Sequence, residues 1–159
     1  MDAALDWLEE NDPKDERIGL SWGDSRLGNI LWQDYRPAAV VDWELCTLGD
    51  PMADLGLLCV YWVDPGDDSI PLFQPATVEP GFPGKTELVE RYAEVSGRDV
   101  SALDYFVALG YWKLAIILEG VFSRYVKGQY GKPEDGFEEF GKNVVRLAGA
   151  ADDAGDRLG

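Results

Sequence analysis

Apolar positions at Ala3, Leu5, Trp7 and Leu8 recur at helical spacing and stop at Asn11-Asp12-Pro13. A short helix ending there is predicted, because Pro13 disfavours helical geometry at the residue before it. Ile18 to Trp22 reads as a short extended piece leading into the Gly23-Asp24 loop. Two apolar runs of strand length, 29–33 and 38–42, flank Asp34-Tyr35-Arg36-Pro37, the pattern of a β-hairpin with a short loop. Asp50-Pro51 marks a helix start, with Asp as cap and Pro at the first helical position. The apolar run from Met52 to Val63 makes that helix largely buried. Residues 64–84 hold five of the nine prolines and form a long irregular connection, a kind of segment that is often functional.

Helical periodicity returns at Lys85 to Ser96, with Leu88, Tyr92 and Val95 on one face and Gly97 as the stop. Ser101 opens a long helix running to about Lys127, weakened internally at Gly110 and Gly120. Its apolar set is nearly continuous from Tyr111 to Leu118, which places it at the centre of a helical core. A last amphipathic helix covers about Glu134 to Ala148, followed by an acidic flexible tail over 149–159.

The length of 159 residues fits one domain, and the hydrophobic share of 46% supplies a core. Thirty acidic against fourteen basic residues leave a net charge of −16. Such a surface repels phosphate backbones and anionic lipid, so neither nucleic acid nor a membrane is an expected partner. Leu57–Val63 and Leu114–Leu118, the longest apolar runs, fall short of the ~20 residues that span a bilayer. The acidic N-terminus lacks the pattern of a signal peptide, which makes the expectation cytoplasmic. Cys46 and Cys59 lie in apolar stretches and read as reduced core thiols. No histidine is present, which excludes Ser-His-Asp hydrolysis, Cys-His thiol catalysis and the HExxH zinc site.

Candidate chemistry collects in Ser21-Trp22-Gly23-Asp24-Ser25-Arg26-Leu27-Gly28-Asn29 and in Val40-Val41-Asp42-Trp43-Glu44. If 29–33 and 38–42 pair as a hairpin, Asn29 and Asp42 become neighbours at its open end. Asp24 sits in the loop feeding the same end. Two carboxylates and an amide oxygen suit Mg²⁺, a hard ion that keeps several waters and substrate oxygens. One of the acids can stay off the metal and accept a proton from a hydroxyl. The alternative is that Asp24 and Asn29 are turn residues, since both types favour loops beside glycine. A GxxxxGK string at Gly136–Lys142 is assigned to helix, because Asn143 replaces the hydroxyl residue of a phosphate loop.

The same segments resemble the signature of the aminoglycoside phosphotransferase family, HGDxxxxN followed by a hydrophobic strand and an Asp. That family is related to choline kinases and protein kinases. The runs Arg26–Asn29, Val41–Leu55, Glu87–Tyr92 and Lys113–Val121 are similar to its branch of kinase-like domains associated with acyl-CoA dehydrogenases. The resemblance implies an α+β fold: the mostly helical C-terminal lobe of a protein kinase-like structure, with a small hairpin at the catalytic loop. It spans 1–148. It implies Asp24 as catalytic base, Asn29 and Asp42 as Mg²⁺ ligands that bind the phosphates of ATP or another nucleoside triphosphate, and Asp54 as a structural holder of the loop. The expected acceptor is a small-molecule hydroxyl, on an aminoglycoside or on a hydroxyacyl thioester.

Two features depart from the family. Trp22 stands where relatives place His. The nucleotide-binding lobe with its phosphate-covering loop and lysine is absent from the sequence, Lys14 being a turn residue. An N-terminal lobe or a dehydrogenase chain is therefore an expected partner. A non-catalytic binding or regulatory module and a carboxylate-metal phosphohydrolase are the alternative functions.

Overall fold

The computed structural model describes residues 2–13, 17–67, 75–129 and 137–156. Five helices make the body: α1 (Asp2–Glu10), α2 (Met52–Tyr61), α3 (Lys85–Ser96), α4 (Leu103–Val126) and α5 (Phe137–Asp156). Two antiparallel pairs accompany them. β1 (Gly19–Ser21) pairs with β4 (Thr47–Gly49), and β2 (Ile30–Gln33) with β3 (Arg36–Val40). The fold is the expected mixed α+β one. Lys14 and Gly136 lie outside the described residues, as does the 68–74 part of the proline-rich connection.

α4 is the centre, packed against α2 on one side and α5 on the other, with α1 laid over α4 and α5. Met52, Leu55 and Cys59 meet Phe106 along the first seam. Val60, Leu114, Ala115 and Leu147 form the second cluster, and Leu8, Ala108 and Ala154 the third. By length and composition α4 alone among the described helices is apolar enough to cross a membrane. Packing on α2 and α5 accounts for part of that composition, while Ile116 and Ile117 on the same helix stay exposed.

Some boundaries differ from the sequence reading, each for a physical reason. The hairpin loop is two residues: Asp34 and Tyr35 take φ of 50° and 61°, the left-handed geometry of a tight hairpin turn. Arg36 and Pro37 therefore belong to the strand. Ala38 is skipped in the pairing, which lets Pro37 sit in β3 without a ladder donor. In α3 the inward face is Val89 and Tyr92, whereas Val95 is exposed. α3 does end at Gly97, with φ of 65°. The tail expected from Gly149 is instead helix to Asp156, held by buried Ala151 and Ala154.

The two thiols also part company. Cys59 is buried and Cys46 exposed, which corrects the reading of both as core residues. Burial pushes Cys59 up from 9.0 to about 11, with Lys85 opposing and Asp64 adding. A group whose native pKa is raised keeps its proton longer in the native state, so stability falls as pH rises through that window. Urea midpoints are therefore expected to hold up to about pH 9 and decline toward pH 11. Tyr61, pushed by burial to about 12, extends the decline. A chromogenic disulfide reagent at pH 8 should titrate one thiol per folded chain and two in urea; two in the folded chain would contradict the packing.

Candidate active site

Asp54, in the first turn of α2, organises the loop that follows β1. Its Oδ2 accepts the Trp22 N–H and its Oδ1 the Gly23 N–H, both at 2.7 Å. Its main-chain carbonyl accepts the Ser25 hydroxyl at 2.6 Å. The helix is set in place by Asp50, whose Oδ1 accepts the Met52 N–H at 2.9 Å. On the opposite side of the same loop, Lys113 Nζ of α4 donates to the Gly23 carbonyl at 2.6 Å. The Asp54 carboxylate takes the N–H of Gly23 and the Lys113 ammonium its C=O, so each of the two peptide units flanking Gly23 is held by a charged partner. Gly23 has φ of 87°, and a Cβ there would lie 2.3 Å from the Leu45 carbonyl oxygen. Only glycine fits.

The clamp presents Asp24. Asn29 closes a short 3-10 turn and is buried, and its Nδ2 donates to Asp24 Oδ2 at 2.6 Å and to the Asp24 carbonyl at 3.1 Å. A carbonyl can only accept, so this pair fixes the amide's orientation and leaves its Oδ1 for other partners. Arg26 Nε meets the same Asp24 Oδ2 at 3.2 Å. Among the described residues Asp24 Oδ1 has no hydrogen-bond partner.

The Val41 N–H donates to the Asn29 carbonyl at 3.0 Å, which joins the open end of the hairpin as anticipated. Asp42 follows with φ of 61° and an exposed side chain. Trp22 supplies a second link, its Nε1 donating to the Val41 carbonyl at 2.9 Å and the Asp42 carbonyl at 3.1 Å. Asp24 and Asn29 are thus in direct contact, with Asp42 one residue beyond the backbone partner of Asn29. An amide oxygen and a carboxylate are hard donors that fit Mg²⁺, an ion usually bound by one or two carboxylates plus waters and phosphate oxygens. Glu44 is exposed on the adjoining turn.

A cavity of about 680 Å³ opens along the later part of the same loop, at Arg26, Leu27 and Gly28. Trp32, Tyr35, Tyr61, Trp62 and Phe82 contribute aromatic walls, with Arg26 and Thr77 as polar members. The far wall comes from the proline-rich connection. It is tied down by Thr77, whose hydroxyl bonds both the N–H and the carbonyl of Val63, and by the Trp62 indole on the Pro83 carbonyl at 3.0 Å. Sequence reasoning placed Asp24, Asn29, Asp42 and Asp54 but missed Lys113 and this cavity. The lone cation in the middle of an apolar helix was the available signal for Lys113.

A helical lobe carrying this loop has the architecture of a kinase-like phosphotransferase. A crystal structure from Ralstonia eutropha JMP134, described provisionally as an aminoglycoside phosphotransferase, superposes with a TM-score of 0.81 at 27% identity, over 98% of this chain and 48% of that one. The chain belongs to the phosphotransferase enzyme family APH, whose model matches residues 1–94. Acyl-CoA dehydrogenase family member 11 from Homo sapiens is 34% identical over 144 residues, covering 86% of this chain and 18% of that protein. The Gallus gallus protein of the same name is 34% identical over 159 residues, covering 93% and 20%. Acyl-CoA dehydrogenase family member 10 from Mus musculus is 31% identical over 136 residues, covering 81% and 12%. The chain thus spans a fifth or less of these curated relatives.

Proposed function

We propose that this chain provides the catalytic loop and metal-binding residues for transfer of the γ-phosphoryl group of ATP, or another nucleoside triphosphate, to a small-molecule hydroxyl. The supporting observation is the division of labour around Asp24. One carboxylate oxygen is fixed by Asn29 and Arg26, and the other has no hydrogen-bond partner among the described residues. Asp24 Oδ1 takes the hydroxyl proton as the acceptor oxygen attacks. Asn29 Oδ1 and the Asp42 carboxylate would hold Mg²⁺, which when bound neutralises charge on the nucleotide phosphates. Lys113 and Asp54 keep the loop from shifting during the exchange of charge, so that little reorganisation is needed.

The cavity bears on the acceptor. Among the described residues that line it are five aromatics, one arginine and no carboxylate, which suits an apolar acyl body better than a polycationic aminoglycoside. The hydroxyacyl thioester is therefore the preferred acceptor class. Exposed apolar residues on and between the strands, among them the Leu20–Leu48 cross-strand pair, Leu31 and Trp43, favour a further lobe covering them and completing the nucleotide site.

Calorimetric titration with Mg-ATP tests the reading. The unmodified chain is expected to give saturable heat that falls at least about tenfold in affinity for Asp42→Asn. Asparagine tolerates the left-handed backbone at this position, so the variant should melt within about 0.5 kcal/mol of the parent. Equal heats in both chains would sink the assignment of Asp42. Absence of heat in both, with and without a covering lobe, would favour a non-catalytic module.

A further inference from the structure

We propose that Trp22 is a positioning residue that aims Asp42 through its indole N–H; the inference rests on the reading of Asp42 as a metal ligand. Trp22 stands where the resemblance expects histidine, yet it carries a donor that reaches across the site. One N–H meets two successive carbonyls, at 2.9 Å on Val41 and 3.1 Å on Asp42. In extended chain, successive carbonyls point to opposite sides and a single donor cannot reach both. Helical-type geometry at the intervening residue turns them to the same side, and Asp42 has it in left-handed form, with φ of 61°. The shared hydrogen bond and the uncommon backbone angle are thus two aspects of one arrangement. Because the backbone at Asp42 sets where its Cβ points, fixing that backbone fixes the direction of the carboxylate.

The donor is itself anchored. Its backbone N–H is held by Asp54 Oδ2 at 2.7 Å, and its ring packs on Trp43 with centroids 6.0 Å apart. A continuous path therefore runs from α2 through Asp54 and Trp22 to Asp42. The loop bearing Asp24 and the strand end bearing Asp42 are then located by the same residue. Indole is longer than imidazole, which lets one side chain bridge both carbonyls.

Two replacements separate the hydrogen bond from the packing. Trp22→Phe removes the N–H and part of the ring. Site-specific exchange of Trp22 for benzothienylalanine, in which sulfur takes the place of the indole N–H, removes the donor alone. Both are expected to raise amide hydrogen exchange over residues 41–46 at least about tenfold, while core amides of α4 stay unchanged. Mn²⁺ affinity, followed by its paramagnetic signal, should fall by about tenfold, as for other groups that orient a metal ligand. Unchanged exchange over 41–46 in the benzothienylalanine protein overturns the proposal whatever the metal does. Raised exchange with unaltered Mn²⁺ affinity overturns it too, since the carboxylate would then be aimed by something else. Failure of the parent chain to bind Mn²⁺ would instead count against Asp42 as a ligand, and the exchange comparison still decides whether Trp22 holds that backbone.

Discussion

Asp54→Ala is expected to destabilise the chain by about 3 kcal/mol and to free the loop that carries Asp24. Two N–H groups, on Trp22 and Gly23, lose a carboxylate that accepts both at 2.7 Å. Hydrogen bonds to a charged acceptor are worth about 1.5–3 kcal/mol each, and a donor left half-buried without a partner adds its desolvation cost. Alanine keeps the main-chain carbonyl that accepts the Ser25 hydroxyl, so that contact survives and limits the loss. In a chain of this size, 3 kcal/mol lowers the melting temperature by about 6–12 °C. Asp54→Asn retains one oxygen acceptor and should lie between the two. Calorimetric melting gives the stability, and amide exchange at Trp22 and Gly23 gives the loop. A shift below about 2 °C for alanine would show that the loop is held by something other than α2.

The distinction between what could be read from the sequence and what could not follows the range of the forces involved. Asp24, Asn29 and Asp42 were legible because one loop and one hairpin bring them together, and the Val41–Asn29 backbone bond closes that hairpin as its pattern suggests. The limits of α3 were legible because a glycine in left-handed geometry ends it locally. The turn at Asp34-Tyr35 was not, since neither residue is the glycine that such a turn usually takes. Tertiary packing decided the rest. α5 continues past Gly149 because Ala151 and Ala154 find buried places against neighbouring helices, overriding a composition of small and acidic residues. Lys113 reads locally as a charge in an apolar helix, and only its bond to Gly23, ninety residues away in sequence, gives it a role.

The glycines of α2 and α4 show how such distant pairs are set, and they carry the second large prediction. Periodicity alone makes Gly110 and Gly120 weak points of one helix, but their surroundings differ. A Cβ on Gly56 would lie 2.2 Å from the Phe106 carbonyl oxygen and 2.3 Å from its carbon, so α2 and α4 touch there backbone to backbone. A Cβ on Gly110 would meet Val60 Cγ2 at 3.1 Å and Leu57 Cα at 3.2 Å, a tight but less severe approach from the other helix. Around Gly120 a Cβ would meet nothing within 4 Å among the described residues. Gly56→Ala is therefore expected to cost about 3 kcal/mol or more, because backbone atoms cannot yield as a flexible side chain would. Gly120→Ala should instead gain up to about 1 kcal/mol, through helix propensity and a less flexible unfolded chain. The same crossing sets the separation of Asp54 on α2 from Lys113 on α4, the two groups that hold the successive peptides on either side of Gly23. Forcing the helices apart should then loosen the loop as well. Gly56→Ala is expected to raise amide exchange at Trp22 and Gly23 in the folded state, beyond what its lower melting temperature accounts for. Stability within 1 kcal/mol of the parent would mean that the helices slide without cost, and that their contact does not set the geometry of the site.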